Sequence, residues 1–339
     1  MQTTLRKRST RPSSEDVAEL AGVSRATVSA YINKSHYVSP ELSERIANAI
    51  KELNYTPDPL ARALKLKDTR TIGLIIPVLS QFYMPLMSVI NSIAHQNGYG
   101  FLLASSEEDP ERERQVLEIL LAKRISGILL VPCSLTNLEL LDQVLESGTP
   151  VVQINRRLEG LAADSVVSNN FWAAYTATEH LIQRGRRKIV LLGYDPNSLA
   201  NAEKKAGYDA ALADHDIPDN LTVLLREHDS KVIRAAMTEF LESGQPFDGL
   251  ICTTQGKTAI ALSLLKERGI RIPAEVAVIG FDDTPWSSLL CTPLTVISES
   301  THRMGVEAAN LLLKRMKGKK TGFPNHILLE DELIVREST

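Results

Sequence analysis

Arg25 carries a planar guanidinium fork that matches guanine O6 and N7, and its neighbours Ala26, Ser29 and Ala30 are short. Ala26 and Ala30 offer only apolar contact, of the kind a thymine methyl accepts. Thr27, Ser29, Asn33, Lys34, Tyr37 and Arg45 suit phosphate oxygens and carry little base information, and a phosphate contact is open to Arg25 as well. A second set of side chains follows directly on apolar runs. Ser80-Gln81-Phe82-Tyr83 follow TIGLIIPVL, Asn155 and Arg156 follow PVVQI, and Asn169 and Trp172 sit in VVSNNFW. Gln255 follows FDGLICTT, Asp282 and Asp283 follow VAVIGF, and Trp286 comes soon after. Aromatic rings mixed with amides, carboxylates and a guanidinium suit a small polar ligand, although each residue alone could be an ordinary loop group.

Catalytic chemistry finds less support. Asp282-Asp283 could act as paired carboxylates, but ligand binding explains them with less machinery. No GxSxG elbow, P-loop, HExxH or strand-linked GxGxxG occurs, and His36, His95, His180, His215, His228, His302 and His326 are scattered. Cys133, Cys252 and Cys291 stand far apart, without metal-type spacing or a disulfide framework. The expectation is a protein that is not an enzyme and needs neither metal nor cofactor.

The elements that must position these groups can be read in turn. Ser13 or Ser14 caps a first helix, with Glu15 and Asp16 favourable to its dipole and Val17, Leu20 and Ala21 on its inner face. Gly22 permits a tight turn, and Ser24 caps a second helix whose Val28 and Ile32 return to the same core. This is the layout of a DNA-binding helix-turn-helix, though a segment of this form alone also suits an ordinary helical hairpin. A third helix spans Pro40 to Leu53, and Pro57 and Pro59 end it. The short helix-forming run Pro59 to Lys65 is too brief to be stable unless something packs on it.

From Thr69 onward, apolar runs alternate with amphipathic helices in two series, which argues for two doubly wound parallel sheets. The 339 residues exceed one ordinary core. The boundaries expected are a basic arm at 1–12, a helical head at 13–56, a hinge at 57–67 and a body at 68–339. Within the body, one lobe is expected over about 68–163 and 283–299, the other over about 164–282 and 300–339. Residues 1–67 hold eleven Lys and Arg against seven Asp and Glu, a balance of +4 that leaves −7 on the rest of a chain of net charge −3. A basic module on an acidic body suits a module that seeks phosphates. Arg6, Lys7, Arg8 and Arg11 extend that charge as a phosphate-touching arm or a solvated tail. With no membrane-length apolar run and no signal core, the expected location is the cytoplasm, in association with the nucleoid.

DVAELAGVSRATVSAYIN, AIKELNYTPDPLARALK and the terminal LIVREST together resemble the LacI/GalR family of bacterial transcription regulators, from about Ser13 onward. The resemblance implies a helix-turn-helix head on a two-lobed body like that of periplasmic binding proteins. It places Arg25, Ala26 and Ala30 at specificity-setting positions. It implies hinge helices that pair in the minor groove of double-stranded operator DNA, where Leu64 wedges between the central base pairs and kinks the duplex and Arg62 and Lys65 join it as DNA contacts. Effector positions match Phe82 or Tyr83, Asn155 or Arg156, Asn169, Lys204, Gln255 and Asp282, with Trp286 as a further candidate. Four features depart from the family pattern. The Leu79–Tyr83 loop is one residue short, Lys204 stands for an arginine, Gln255 for Asp or Asn, and Glu299 for a glutamine. The role implied is a homodimeric repressor controlled by a sugar, sugar phosphate or similar metabolite; a solute-binding protein without a regulatory role is the alternative. No leucine heptad follows LIVREST, which favours a dimer over a tetramer.

Overall fold

The computed structural model describes residues 12–33, 35–56, 69–133, 138–194, 198–218, 221–225, 229–318 and 322–339. The chain divides into two compact units, 1–69 and 70–339. The hinge residues Arg62, Leu64 and Lys65 lie outside the described residues, as do arm residues 1–11 and Lys34.

The first unit contains helices α1 (Ser14–Ala21), α2 (Arg25–Asn33) and α3 (Pro40–Glu52). Ser13 and Asp16 form a reciprocal capping box on α1, and Gly22 ends that helix in the left-handed conformation at φ +61°. The Ser24 hydroxyl accepts from the Thr27 N–H at 3.1 Å and starts α2. Val17, Ala18, Ala21, Val28, Ile46 and Ala49 make one small core. Leu20, expected inside, is 46 % exposed. Ala18 is buried instead, because the core-facing side of α1 runs along Val17, Ala18 and Ala21 and leaves Leu20 off it.

The second unit is built from two sheets of identical strand order. Its first lobe takes β1 (Thr71–Ile76), α4 (Met84–Gln96), β2 (Gly100–Ser105), α5 (Pro110–Ala122), β3 (Gly127–Leu130), α6 (Leu138–Glu146), β4 (Val151–Ile154) and β5 (Asp164–Ser168). The second takes α7 (Asn170–Gln183), β6 (Ile189–Tyr194), α8 (Leu199–Asp214), β7 (Leu221–Leu224), α9 (Ser230–Glu242), β8 (Gly249–Cys252), α10 (Gln255–Glu267), β9 (Ala277–Phe281) and β10 (Thr295–Ser298). The chain then returns to the first lobe with α11 (Thr301–Met316) and β11 (His326–Leu329), and ends in the second with β12 (Glu332–Ile334). The sheet orders are β11-β5-β4-β3-β1-β2 and β12-β10-β9-β8-β6-β7. Every pairing is parallel except β10 with β12. Each sheet is sealed on both faces, by α4 and α11 against α5 and α6 in one, and by α9 and α10 against α7 and α8 in the other.

The expected lobe boundaries are corrected by these pairings. β10 lies beside β9 in the second sheet, so 283–299 belongs to the second lobe. α11 and β11 belong to the first, because Met304, Ala308, Ala309 and Leu312 close a sheet face that would otherwise stand open. Three short crossovers therefore join the lobes: Asn169, Glu299-Ser300 and Glu330-Asp331. Two of them are bonded to the strands of the first sheet, with the Asn169 N–H donating to the Leu329 carbonyl at 2.8 Å and the Ser168 hydroxyl donating to Asp331 Oδ1 at 2.9 Å. Among the described residues no helix is long and apolar enough to cross a membrane.

Candidate functional site

In the first unit, α2 turns one side to the core through Val28 and leaves Arg25 and Ala26 exposed. Ser29 and Ala30 follow one turn later, half-buried, and Asn33 one turn beyond, all along one side of the helix. Arg25 sits at the first position of α2, where its Nε donates to Ser14 Oγ at 3.1 Å across the turn. That bond holds the fork beside the helix N-terminus, the end that enters a groove in helix-turn-helix proteins. Asn33 Nδ2 folds back onto the Ser29 carbonyl at 2.9 Å, and Thr27 Oγ1 lies 2.9 Å from Ser24 Oγ. Thr27 and Asn33 are thus partly committed to the helix itself, whereas Tyr37 is 87 % exposed. Arg45 Nη2 donates to the Gly22 carbonyl at 3.3 Å and braces the turn.

In the second unit, a cavity of about 380 Å³ opens between the two lobes at the carboxyl ends of their strands. Of the residues read as ligand contacts, Phe82, Tyr83, Asn155, Arg156, Lys204, Gln255 and Asp282 line it. Asn169 does not, being the crossover residue whose side chain caps α7 by accepting from the Trp172 N–H at 3.3 Å. Trp286 packs half-buried on the core of the second sheet, because the segment after β9 folds back over that sheet before β10 begins. Trp172 lies with Asn169 beside Glu330 and Asp331, outside the cleft.

The cleft has further walls that the strand-end rule missed or misplaced. Asn170 lines it in place of Asn169, one position later. Glu108 follows YGFLLASS as the others follow their strands, so the same rule applied to that run points at it. Ser198, Asn201 and Lys257 come from helix starts, where no strand-end signal exists. Glu299 sits on the crossover before α11, a position singled out in the sequence as a departure from the family pattern and not as a ligand contact.

The geometry is mostly ionic. Arg156 grips Glu108 with both nitrogens at 2.9 and 2.7 Å and reaches the Pro132 carbonyl at 3.3 Å. Lys204 Nζ lies 3.3 Å from Glu299 Oε1, 3.5 Å from the Thr253 carbonyl and 4.1 Å above the Phe281 ring. Lys257 Nζ donates to the Gly193 carbonyl at 3.1 Å. Asn155 Nδ2 donates to the Tyr83 hydroxyl at 3.3 Å, and burial pushes that phenol up to about 12. Asp282 is pushed up to about 8 by burial and by the Glu299 carboxylate, against the pull of Lys204 and of the Gln255 N–H. Asp331, behind the cleft, is raised to about 7, again by burial first and Glu299 second. Such an arrangement can hold and orient a small polar molecule between the two lobes. Among the described residues, no cluster of three or more His, Cys, Asp or Glu is placed to hold a metal.

Comparison with known proteins agrees with this geometry along the whole chain. Residues 69–330 match the family described as periplasmic binding proteins and sugar binding domain of LacI family. Residues 15–58 match the bacterial regulatory proteins, lacI family. The HTH-type transcriptional repressor PurR of Actinobacillus pleuropneumoniae serotype 3 (strain JL03) is 30% identical over 327 residues, 96% of this chain and 97% of its own. The HTH-type transcriptional regulator RegA of Clostridium saccharobutylicum is 31% identical over 330 residues, 96% and 98% of the two chains. The transcriptional regulator CelR in complex with cellobiose superposes with a TM-score of 0.70 at 29% identity, covering 97% of this chain and 100% of its own. The lac repressor dimer bound to operator and the anti-inducer ONPF shares the fold, with a TM-score of 0.85 at 24% identity over 97% and 99% of the chains. With an exposed face on α2 of the first unit and a ligand-sized cleft in the twice-repeated second unit, and with both family matches, the chain belongs to the LacI family of bacterial regulatory proteins.

Proposed function

We propose that this protein is a sequence-specific transcription regulator of the bacterial cytoplasm, acting as a repressor under the control of a small molecule held between its lobes. The observation that carries the reading is the pairing, in one chain, of the exposed Arg25–Ala26 face with an interlobe cleft walled by charged and aromatic groups from both lobes. In this reading two copies of the chain place two α2 helices on the half-sites of a palindromic operator, and Arg62, Leu64 and Lys65 engage its centre. A ligand touching Tyr83, Asn155 and Arg156 on one side and Lys204, Gln255 and Asp282 on the other favours one angle between the lobes. The three crossovers turn that preference into a change in the first lobe, from which the hinge departs. The relatives are regulators, and no catalytic role is assigned to any residue.

Selection of bound sequences from a random DNA pool by the full-length protein, at fixed salt, tests the reading. A recovered palindrome with a flexible pyrimidine–purine step at its centre is the expected result. Recovery of no consensus, with ligand binding intact, would instead favour a solute-binding protein.

A further inference from the structure

The cleft is not evenly satisfied. Among the described residues, two buried oxygens that line it lack a hydrogen-bond partner, Glu299 Oε2 and Gln255 Oε1. Both are acceptors, and among the described residues no fully buried side-chain donor lining the cleft lacks a partner. The Glu299 side chain is only 4 % exposed, so water does not serve that oxygen as it would on a surface. Asp282 stands on the same wall and, among the described residues, accepts only the Gln255 N–H, at 3.4 Å. One ammonium, that of Lys204, serves this end of the cleft, and it is shared among Glu299, the Thr253 carbonyl and the Phe281 ring. The other cations of the lining are engaged elsewhere, Arg156 by Glu108 and Lys257 by Gly193 and Thr253.

Taking the cleft as the effector site, we propose that the effector is a small polar molecule bearing a protonated amine, whose ammonium sits between Glu299 Oε2 and Asp282 and whose remaining donors meet Gln255 Oε1. The chemistry is complementary on each count. An ammonium has three donors and no acceptor, and it adds to Lys204 the second positive charge that Glu299 and Asp282 call for once both are ionised. A phosphate reverses every sign, bringing acceptors to acceptors and an anion to two carboxyl groups. A neutral polyol answers the hydrogen bonds and leaves the charge unmatched. The glutamate at position 299 is the decisive residue, because a glutamine there would offer a donor of its own and no charge. Asp282, whose carboxyl is held up by burial and by Glu299 against Lys204 and the Gln255 N–H with Asp331 behind, gives up its proton as the ammonium arrives.

The test titrates the full-length protein with matched sets that differ at one carbon. They are 6-amino-6-deoxyglucose, glucose and glucose 6-phosphate; 5-amino-5-deoxyribose, ribose and ribose 5-phosphate; and 5-amino-1-pentanol with 1,5-pentanediol. Melting shifts identify the binders, and calorimetry in buffers of different ionisation enthalpy counts protons. The expected result is that an amine binds at least tenfold tighter than its hydroxyl partner and releases a proton at pH 7. Glu299→Gln should remove that preference, the amine losing at least tenfold more affinity than its hydroxyl partner, and should strengthen the phosphate member. Preference for a hydroxyl or phosphate member, binding by no amine, or an unchanged preference in Glu299→Gln overturns the proposal. Operator selection separates the two readings. A recovered palindrome with a failed amine test sinks the ligand class alone, and a successful amine test without an operator sinks the regulator reading alone.

Discussion

Asp282 ends β9 in the left-handed region at φ +71°, and Asn155 ends β4 in the same way at φ +62°. Each backbone N–H then bonds the next strand, to Ile297 at 2.8 Å for Asp282 and to Val166 at 2.9 Å for Asn155. Asn and Asp tolerate this conformation better than other side chains, so a strand-end turn explains their type and aims both into the cleft. The raised Asp282 carboxyl has a consequence for stability. Because the folded protein keeps the proton to about pH 8 while the unfolded chain loses it near its ordinary value of 3.8, stability is full below that lower value. It falls as pH rises toward 8. Melting of the ligand-free protein should therefore decline between about pH 5 and pH 8, and Asp282→Asn should flatten that slope; an unchanged slope would place the titration elsewhere. On the reading helix, Arg25→Ala should cost roughly 1–3 kcal/mol at a single base position of the operator. Binding to a set of single-base operator variants measures it, and a uniform loss over all sequences would mark a phosphate contact.

At the scale of elements, α7 and α8 are pressed together at a glycine. A Cβ on Gly207 would stand 2.0 Å from the Phe171 carbonyl oxygen, which belongs to backbone and does not move aside. Gly207→Ala should therefore lose about 3 kcal/mol in thermal or denaturant unfolding, as the two helices separate. Gly256→Ala, on α10 where an added methyl meets nothing, is the control and should leave stability unchanged or slightly higher. The helices and strands themselves were legible, because periods of 3.6 and apolar runs bounded by glycine leave few alternatives. The exceptions had physical causes. The first turns of α8, from Leu199, line the cleft with Ala200, Asn201 and Lys204 and carry no apolar stripe to reveal them. The start of α10 at Gln255 is set by the Thr254 hydroxyl, which caps it by accepting from the Lys257 N–H. Asn169 was misread for a related reason. A cap and a ligand contact use the same side-chain type at the same place after a strand.

For the whole molecule, the two-lobed plan followed from the repeated alternation, but the lobe membership of the last segments did not. Nothing in the pattern of 300–339 says which sheet lacks a strand; only the open face beside α4 decides it. Coupling between the cleft and the head must be reciprocal. If an effector lowers operator affinity tenfold, operator must lower effector affinity tenfold, about 1.4 kcal/mol in each direction. Effector titrations with and without operator measure it, and an unequal pair of factors would mean that a third species takes part. The return of the chain to its first lobe also bears on how the protein is made. A nascent chain that has emerged as far as β10 carries five strands of the first sheet, with the Leu86 and Ile90 face of α4 still lacking its cover. The second sheet waits as well, since Ser338 bonds both Val278 and Thr295. Both lobes are thus completed only by residues 300–339. Until those emerge from the ribosome, the growing polypeptide holds apolar surface on two unfinished sheets, the kind of surface through which incomplete chains associate.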